Sequence, residues 1–231
     1  VTNHPAQYTN RILELMQELA TGITGIALDP FAGVGNIHKI AHDKLRTVGV
    51  ELEEEWAGQH PDTIRGDATR LPFPQHAFDA VFTSPVYGNR MSDCHNATER
   101  CKRCLGNGCD NCDQKGRNEY KRLTYTHRLG RKLTEGNAGA MQWGKQYRDL
   151  HGKAWQEAVR VLKPKGIFVL NISDHIRKGL VMPVTAFHTA TLTQLGIEWK
   201  YRIPVETPRM RYGQNHELRV GHEDIYVGVK T

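Results

Sequence analysis

An α/β fold built on a mostly parallel sheet is predicted from three features of the chain. The stretch Gly22 to Ile37, GITGIALDPFAGVGNI, passes from a short apolar run (Ile23, Ile26, Ala27, Leu28) into a glycine turn and then into a helix-like segment near Asn36. That order is a buried strand, a turn and a helix start, the first unit of a nucleotide-binding α/β fold. Further short strand candidates follow at Thr47–Glu51, Thr63–Arg65 and Phe78–Thr83, and each runs into an acid or a polar turn: Glu51, Asp67 and Ser84. In an open parallel sheet such strand ends border the ligand crevice. Finally, a long amphipathic stretch leads into the apolar run Ile167–Ile172, and two more strand-like segments close the chain.

Element by element, Asn10 to Ala20 has helical spacing of Ile12, Leu15, Met16 and Leu19, with Thr9 or Asn10 as N-cap. Gly33 and Gly35 let backbone approach a ligand where a Cβ would collide. The dinucleotide fingerprint requires a third glycine three places later, and His38 stands there; a nicotinamide or flavin cofactor is therefore disfavoured. A helix is expected from about Asn36 to Lys44. Trp143 to Leu162 is helical, with Trp155, Ala158, Val159 and Leu162 on one face, and Pro164-Lys165-Gly166 stops it. Another helix is expected over Val184 to Leu195. Ile197–Arg202 and Asp224–Lys230 read as an antiparallel pair joined by a polar, basic loop.

The 231 residues suit one sizeable core with an insertion. No apolar run reaches membrane-spanning length and no secretory signal pattern opens the chain, so a cytoplasmic protein with no membrane partner is expected. The net charge of +6 makes nucleic acid a reasonable partner. That charge is unevenly placed: Asn89 to Lys132 holds 11 Lys and Arg against 5 Asp and Glu, a surplus equal to that of the whole chain. All five cysteines (Cys94, Cys101, Cys104, Cys109, Cys112) lie in the same stretch. The expected organisation is one domain over 1–231 with a basic inserted segment at 89–142.

Four motifs, in order, resemble those of S-adenosylmethionine-dependent amino-methyltransferases, the N4-cytosine/N6-adenine DNA methylase family. Asp29-Pro30-Phe31-Ala32-Gly33-Val34-Gly35 is similar to the family's cofactor motif DPFxGxG, and Ser84-Pro85-Val86-Tyr87 to its tetrapeptide (D/N/S)-P-P-(Y/F/W). His4-Pro5-Ala6-Gln7-Tyr8 resembles the segment that closes over the cofactor's methionine end, and His222 to Lys230 resembles HExIxVxxK. The resemblance covers roughly residues 3–88 and 143–231. It implies a Rossmann-like class I methyltransferase fold with a seven-stranded sheet, mostly parallel, whose last strand is antiparallel.

The resemblance also implies roles. Pro5, Tyr8, Asp29, Pro30, Phe31, Gly33, Gly35, Glu51 and Asp67 would form the S-adenosylmethionine site, with Asp29 on the methionine ammonium, Glu51 on the ribose hydroxyls and Asp67 on the adenine amino group. Phe31 and Tyr8 would wall the pocket, although ordinary core packing accounts for them equally well. Ser84 Oγ and the Pro85 carbonyl would accept hydrogen bonds from the target amine, whose lone pair is otherwise conjugated with its ring. Tyr87 would stack on a base taken out of the duplex. Val86 departs from the family's second proline and leaves the turn less rigid. Double-stranded DNA is the implied partner, with serine at the first tetrapeptide position favouring N4-cytosine over N6-adenine. RNA, or a non-catalytic nucleic-acid-binding relative, stays open.

Cys101, Cys104, Cys109 and Cys112 are spaced C-x2-C-x4-C-x2-C. Four thiolates suit a closed, tetrahedral structural Zn2+, and the glycines between them resemble the zinc modules of the DnaJ-type chaperone. Disulfides and an iron–sulfur cluster are the rival readings, and Cys94 or His95 could replace one ligand. A basic flap braced in this way, directly after the tetrapeptide, is placed to hold phosphates.

Overall fold

The computed structural model describes residues 8–88, 129–207 and 220–231, the backbone of 96–100 and 117–121, and residues 103, 104, 107, 109 and 110. A first helix, α1 (Asn10–Ala20), leads into β1 (Gly25–Asp29), β2 (Leu45–Glu51), a single turn α2 (Glu54–Ala57), β3 (Thr63–Arg65) and β4 (Phe78–Thr83). Two short strands of the inserted segment, β5 (Asn96–Arg100) and β6 (Arg117–Lys121), pair antiparallel. The chain returns through α3 (Lys145–Val161), β7 (Leu162–Ile172), β8 (His175–Arg177), β9 (Leu180–Met182), α4 (Val184–Gln194), β10 (Ile197–Glu206) and β11 (His222–Lys230).

Seven strands form one sheet in the order β10-β11-β7-β4-β1-β2-β3. β1, β2, β3, β4 and β7 run parallel, and β11 is antiparallel to both β7 and β10. This is the Rossmann-like arrangement expected from the motifs. Both faces are covered. Val81 and Phe168 belong to the core cluster under α3 and α4, while their chain neighbours Phe82 and Val169 belong to the cluster under α1. Successive side chains of β4 and β7 thus enter opposite cores, as the two-residue period of a doubly buried strand requires.

The sequence reading of α1 holds: Thr9 Oγ1 accepts the Ile12 N–H at 3.3 Å, and Ile12, Leu15, Met16 and Ala20 are buried. Several boundaries need correction. The helix expected over 36–44 is a 3-10 turn at Asn36–Ile40. His42 and Leu45 then exchange both backbone bonds across Asp43-Lys44, and this tight turn starts β2 two residues early. The segment expected to separate helix from strand at Pro164-Lys165-Gly166 lies inside β7, where Lys165 takes φ 62° and the register with β4 shifts between Phe78 and Ala80. β10 and β11 both extend further than read, so the loop between them is shorter. Neither the β5–β6 nor the β8–β9 hairpin was expected.

Lys230, the lysine of the last motif, has a structural task. Its Nζ donates to the Val159 and Leu162 carbonyls at 2.7 Å each, capping the C-terminus of α3 where a cation is favoured.

Candidate functional site

The parallel strands place their C-terminal ends on one rim, and β11, running the other way, brings its N-terminus there: Asp224 pairs with Ile172 at the end of β7. Asp29, Glu51, Ser84, Asn171 and Glu223 consequently meet along one edge of the sheet although they are scattered over the chain.

The half of this rim expected to hold the cofactor begins with Asp29, only 2% exposed at the end of β1. Its Oδ1 accepts from the Phe31 N–H at 2.9 Å and from Thr83 Oγ1 at 2.7 Å, and the Tyr8 hydroxyl also bonds to the carboxyl. Burial nevertheless wins over these three donors and raises its pKa to about 6. Glu51, at the end of β2 and 9% exposed, accepts the Gly33 N–H at 3.0 Å and the Glu53 N–H at 2.8 Å. Burial again dominates and raises it to about 7. The glycine turn therefore bonds directly to the acid expected on the ribose. Gly33 and Gly35 both have positive φ, and a Cβ on Gly35 would stand 2.7 Å from His38 Cδ2. Pro30 is buried between Asp29 and Phe31. Asp67 is exposed beyond β3 and closes a turn onto Thr69 N and Oγ1, both at 2.8 Å. The preceding Gly66 donates to the Glu51 carbonyl, which keeps Asp67 on the same rim.

Phe31 packs inward: its ring stacks on His151 at 5.4 Å and meets Trp155 edge-on at 5.7 Å. Of the two aromatics expected to wall the pocket, Tyr8 stands at Asp29, with its hydroxyl pKa held well above the usual value by burial and by that carboxylate. Pro5 lies outside the described residues. His38, where a third glycine would stand, has Nδ1 on Thr47 Oγ1 at 2.9 Å and Nε2 on Thr63 Oγ1 at 2.8 Å. His38, His60 and Asp62 come close enough to suggest a metal site. With both His38 nitrogens engaged and His60 Nδ1 accepting from Asp62 N, the trio reads as a hydrogen-bonded brace for the turn.

The second half is built on Ser84-Pro85-Val86-Tyr87. Asn171 Nδ2 donates to Ser84 Oγ at 3.1 Å and to Glu223 Oε2 at 2.8 Å; Tyr87 donates its hydroxyl to the same Glu223 oxygen at 2.7 Å, and Ser84 Oγ lies 3.4 Å from the Tyr87 hydroxyl. Because Glu223 presents only acceptors, the amide orientation of Asn171 is fixed. Its Oδ1 is left buried with no donor among the described residues. Tyr87 is thus anchored by its hydroxyl, which the stacking role alone does not require. Sequence reasoning missed Asn171 altogether and quoted Glu223 only as part of a motif.

The valine that replaces the second proline is held by a buried relay. Trp155 Nε1 can only donate, and it donates to His188 Nδ1 at 2.8 Å. A neutral His188 then carries its proton on Nε2 and donates to the Tyr147 oxygen at 2.8 Å, so Tyr147 donates to the Val86 carbonyl at 2.7 Å. Burial and neighbouring His151 push the His188 pKa well down, which keeps it neutral. The rigidity lost with proline is supplied by this chain. Tyr147→Phe should cost about 1–3 kcal/mol in urea unfolding, since it strands a buried donor and a buried acceptor; an unchanged midpoint would remove the relay from the account.

A further carboxylate was not foreseen. Glu53, 0% exposed just beyond β2, accepts from Arg131 Nη2, Thr134 N and Asn137 Nδ2 at 2.8 Å and from Thr134 Oγ1 at 2.9 Å. The acidic run Glu53-Glu54-Glu55 was visible, but its partners lie some eighty residues away. They pin the returning end of the inserted segment beside Glu51. At its other neck, Trp143 N donates to the Gly88 carbonyl at 2.6 Å. Cys104 and Cys109 are partly exposed, and Asn107 N donates to the Cys104 carbonyl at 3.0 Å, closing a turn directly after that thiol. Cys101 and Cys112, as well as Cys94 and His95, lie outside the described residues.

Residues 18–109 match a family model described as a methyltransferase domain. No curated protein matches the sequence. Among solved structures, a Pyrococcus horikoshii OT3 protein superposes with a TM-score of 0.55 at 14% identity, covering 100% of this chain and 94% of that one. The YcgJ protein of Bacillus subtilis gives 0.52 at 15% identity, covering 96% and 99%. The [4+2]-cyclase SpnF gives 0.54 at 16%, covering 95% and 80%. These likenesses show the fold, and the presence of a cyclase among them shows that the fold alone does not name a reaction. Among the described residues no helix is long and apolar enough to cross a membrane.

Proposed function

We propose that this chain, whose fold and methyltransferase-domain match support an S-adenosylmethionine-dependent methyltransferase, methylates an exocyclic amino group of a base in double-stranded DNA, cytosine N4 in preference to adenine N6. The observation that carries this reading is the convergence of Ser84, Asn171, Tyr87 and Glu223 next to the Asp29–Glu51 rim, with the Asn171 Oδ1 acceptor buried and unanswered. A buried acceptor without a donor costs about 1–3 kcal/mol, and an incoming N–H removes that cost.

The residues fit the cofactor. Two buried carboxylates whose ionisation is opposed by burial suit a ligand that brings an ammonium group and sugar hydroxyls, and the positive-φ glycines leave backbone room beside them. Asp29 and Tyr8 would hold the amino-acid end, Glu51 the ribose and Asp67 the base. S-adenosylmethionine supplies a methyl group on a positively charged sulfur. Two of the three acceptors at this site, Ser84 Oγ, the Pro85 carbonyl and Asn171 Oδ1, take the two N–H groups of the target amine and localise its lone pair. Tyr87, fixed through Glu223, offers a ring on which an extruded base can stack. A proton leaving the methylated nitrogen has a path from Ser84 Oγ through the Tyr87 hydroxyl to Glu223.

Support for DNA comes from the serine at the first tetrapeptide position and from the charge of the 89–132 stretch. Structural Zn2+ on Cys101, Cys104, Cys109 and Cys112 belongs to the same proposal. The tight turn after Cys104 suits convergent thiolates, and the metal would brace the basic segment without taking part in the chemistry. The decisive experiment incubates the protein with labelled S-adenosylmethionine and duplex DNA and digests the product to nucleosides. N4-methylcytosine is expected; N6-methyladenine would change the base, and label entering RNA alone would overturn the DNA assignment. Metal analysis should return about one zinc per chain, and a chelator should lower the melting temperature; no zinc would remove the metal.

A further inference from the structure

Resting on the reading as a duplex-DNA amino-methyltransferase, we infer that the β8–β9 hairpin is a wedge that enters the base stack beside the target pocket, with Leu180 as its leading side chain.

Leu180 and Val181 are 66% and 56% exposed, the two most exposed large apolar side chains among the described residues. They sit on a tightly made hairpin. Lys178 and Gly179 take φ 50° and 77°, and two consecutive positive-φ residues form the two-residue turn whose twist matches that of its strands. The cross-strand pairs are His175 with Met182, Ile176 with Val181 and Arg177 with Leu180. Side chains alternate along a strand, so His175, Arg177, Leu180 and Met182 share one face.

That face is turned to the catalytic loop. His175 bonds to the backbone of Tyr87, and Arg177 Nη1 donates to the Trp143 carbonyl at 3.2 Å, at the neck where the inserted segment returns. Met182 packs into the core under α3. Leu180 is the member of this face left in solvent, and it lies at the tip. Asp174 accepts the Thr185 N–H at 2.7 Å and Ser173 Oγ donates to the His222 carbonyl at 2.9 Å, fixing the root of the hairpin to α4 and β11.

Charge selects the occupant. Arg177 and Lys178 flank the tip. Beside them opens a groove of about 460 Å³ lined by Met141, Gln142, Trp143, Lys145, Gln146 and Arg177, with the Arg148 guanidinium 5.4 Å over the Trp143 ring. Of the acids nearby, Asp149 is paired with Lys145 and Asp174 is held by Thr185. Apolar tips flanked by cations suit a duplex, where an inserted side chain props open the step from which a base has been extruded.

The test compares sheared genomic DNA as duplex and after heat denaturation, using labelled S-adenosylmethionine and the full chain. The double variant Leu180→Ala, Val181→Ala should lose tenfold or more of its turnover on duplex and stay within twofold of wild type on single strands, which need no extrusion. An equal loss on both substrates, no loss on either, or a changed oligomeric state in the double variant without DNA would overturn the wedge. Unchanged cofactor affinity in the variant shows that its fold is intact. A wild-type protein that labels neither form of DNA would instead overturn the functional reading, and the wedge with it.

Discussion

Ser84→Ala is expected to lower kcat about a hundredfold while leaving S-adenosylmethionine affinity within about twofold of wild type. The size follows from what one preorganised hydrogen-bonding group contributes when charge develops in a water-poor site, roughly 3 kcal/mol. The selectivity follows from the connections. Ser84 Oγ is met by Asn171 Nδ2 and by the Tyr87 hydroxyl, both on the target side, whereas Asp29 is met by Phe31 N, Thr83 Oγ1 and Tyr8. Removing Oγ leaves Asn171 and Tyr87 still bonded to Glu223, so the pocket should keep its shape. Single-turnover rates and equilibrium cofactor titration on the same preparation separate the two quantities. If affinity and rate fell together, Ser84 would belong to the cofactor site or to the fold, and the amine would need another acceptor.

What the sequence could reveal of this site was whatever lies within a few residues of a strand end. Asp29 with its glycine turn, and Ser84-Pro85-Val86-Tyr87, are local patterns: strand, turn and functional group are adjacent in the chain, and an apolar run shows where the strand ends. The same holds for β1 to β4, which are short and each run into a polar turn, and for α1, whose stripe and Thr9 cap are both in plain view. Asn171 gave no such signal. It stands inside an apolar strand, and only the antiparallel return of β11 sets Glu223 beside it. His188 and Trp155 carry no mark distinguishing them from ordinary core residues; their role appears once α3 and α4 are packed together. Glu53 carries no mark of its task until Arg131, Thr134 and Asn137 fold back onto it. The expected helix at 36–44 failed for a related reason, since His38 is committed to two threonines on β2 and beyond, and the chain must turn at Asp43-Lys44 to begin β2.

Asp29→Asn is expected to weaken S-adenosylmethionine binding about ten- to hundredfold at pH 8 and, in the cofactor-free protein, to raise the melting temperature by a few degrees at the same pH. The first effect is the loss of a charge-assisted bond to an ammonium group. The second comes from the buried carboxyl itself. Its pKa rises from 3.8 to about 6 on folding because burial disfavours the charged form. Below about pH 4 both folded and unfolded chains hold the proton. Between about 4 and 6 the unfolded chain has released it and the folded chain has not, so this group's contribution to stability falls as pH rises. Above about 6 a penalty of roughly 3 kcal/mol remains. Asparagine abolishes that penalty while its oxygen can still accept from Phe31 N and Thr83 Oγ1. Binding runs the other way, because a cationic ligand needs the ionised form. Wild-type affinity should therefore drop about tenfold from pH 7 to pH 5, with Glu51, raised to about 7, steepening the upper part of the curve. In the Asp29→Asn protein only the Glu51 part should survive. Calorimetric titration between pH 5 and 8, with melting curves on the same samples, checks both halves. A variant that is less stable at pH 8 yet binds the cofactor normally would mean that Asp29 is held for the turn at Phe31 alone, and that the positive charge of the ligand is met elsewhere.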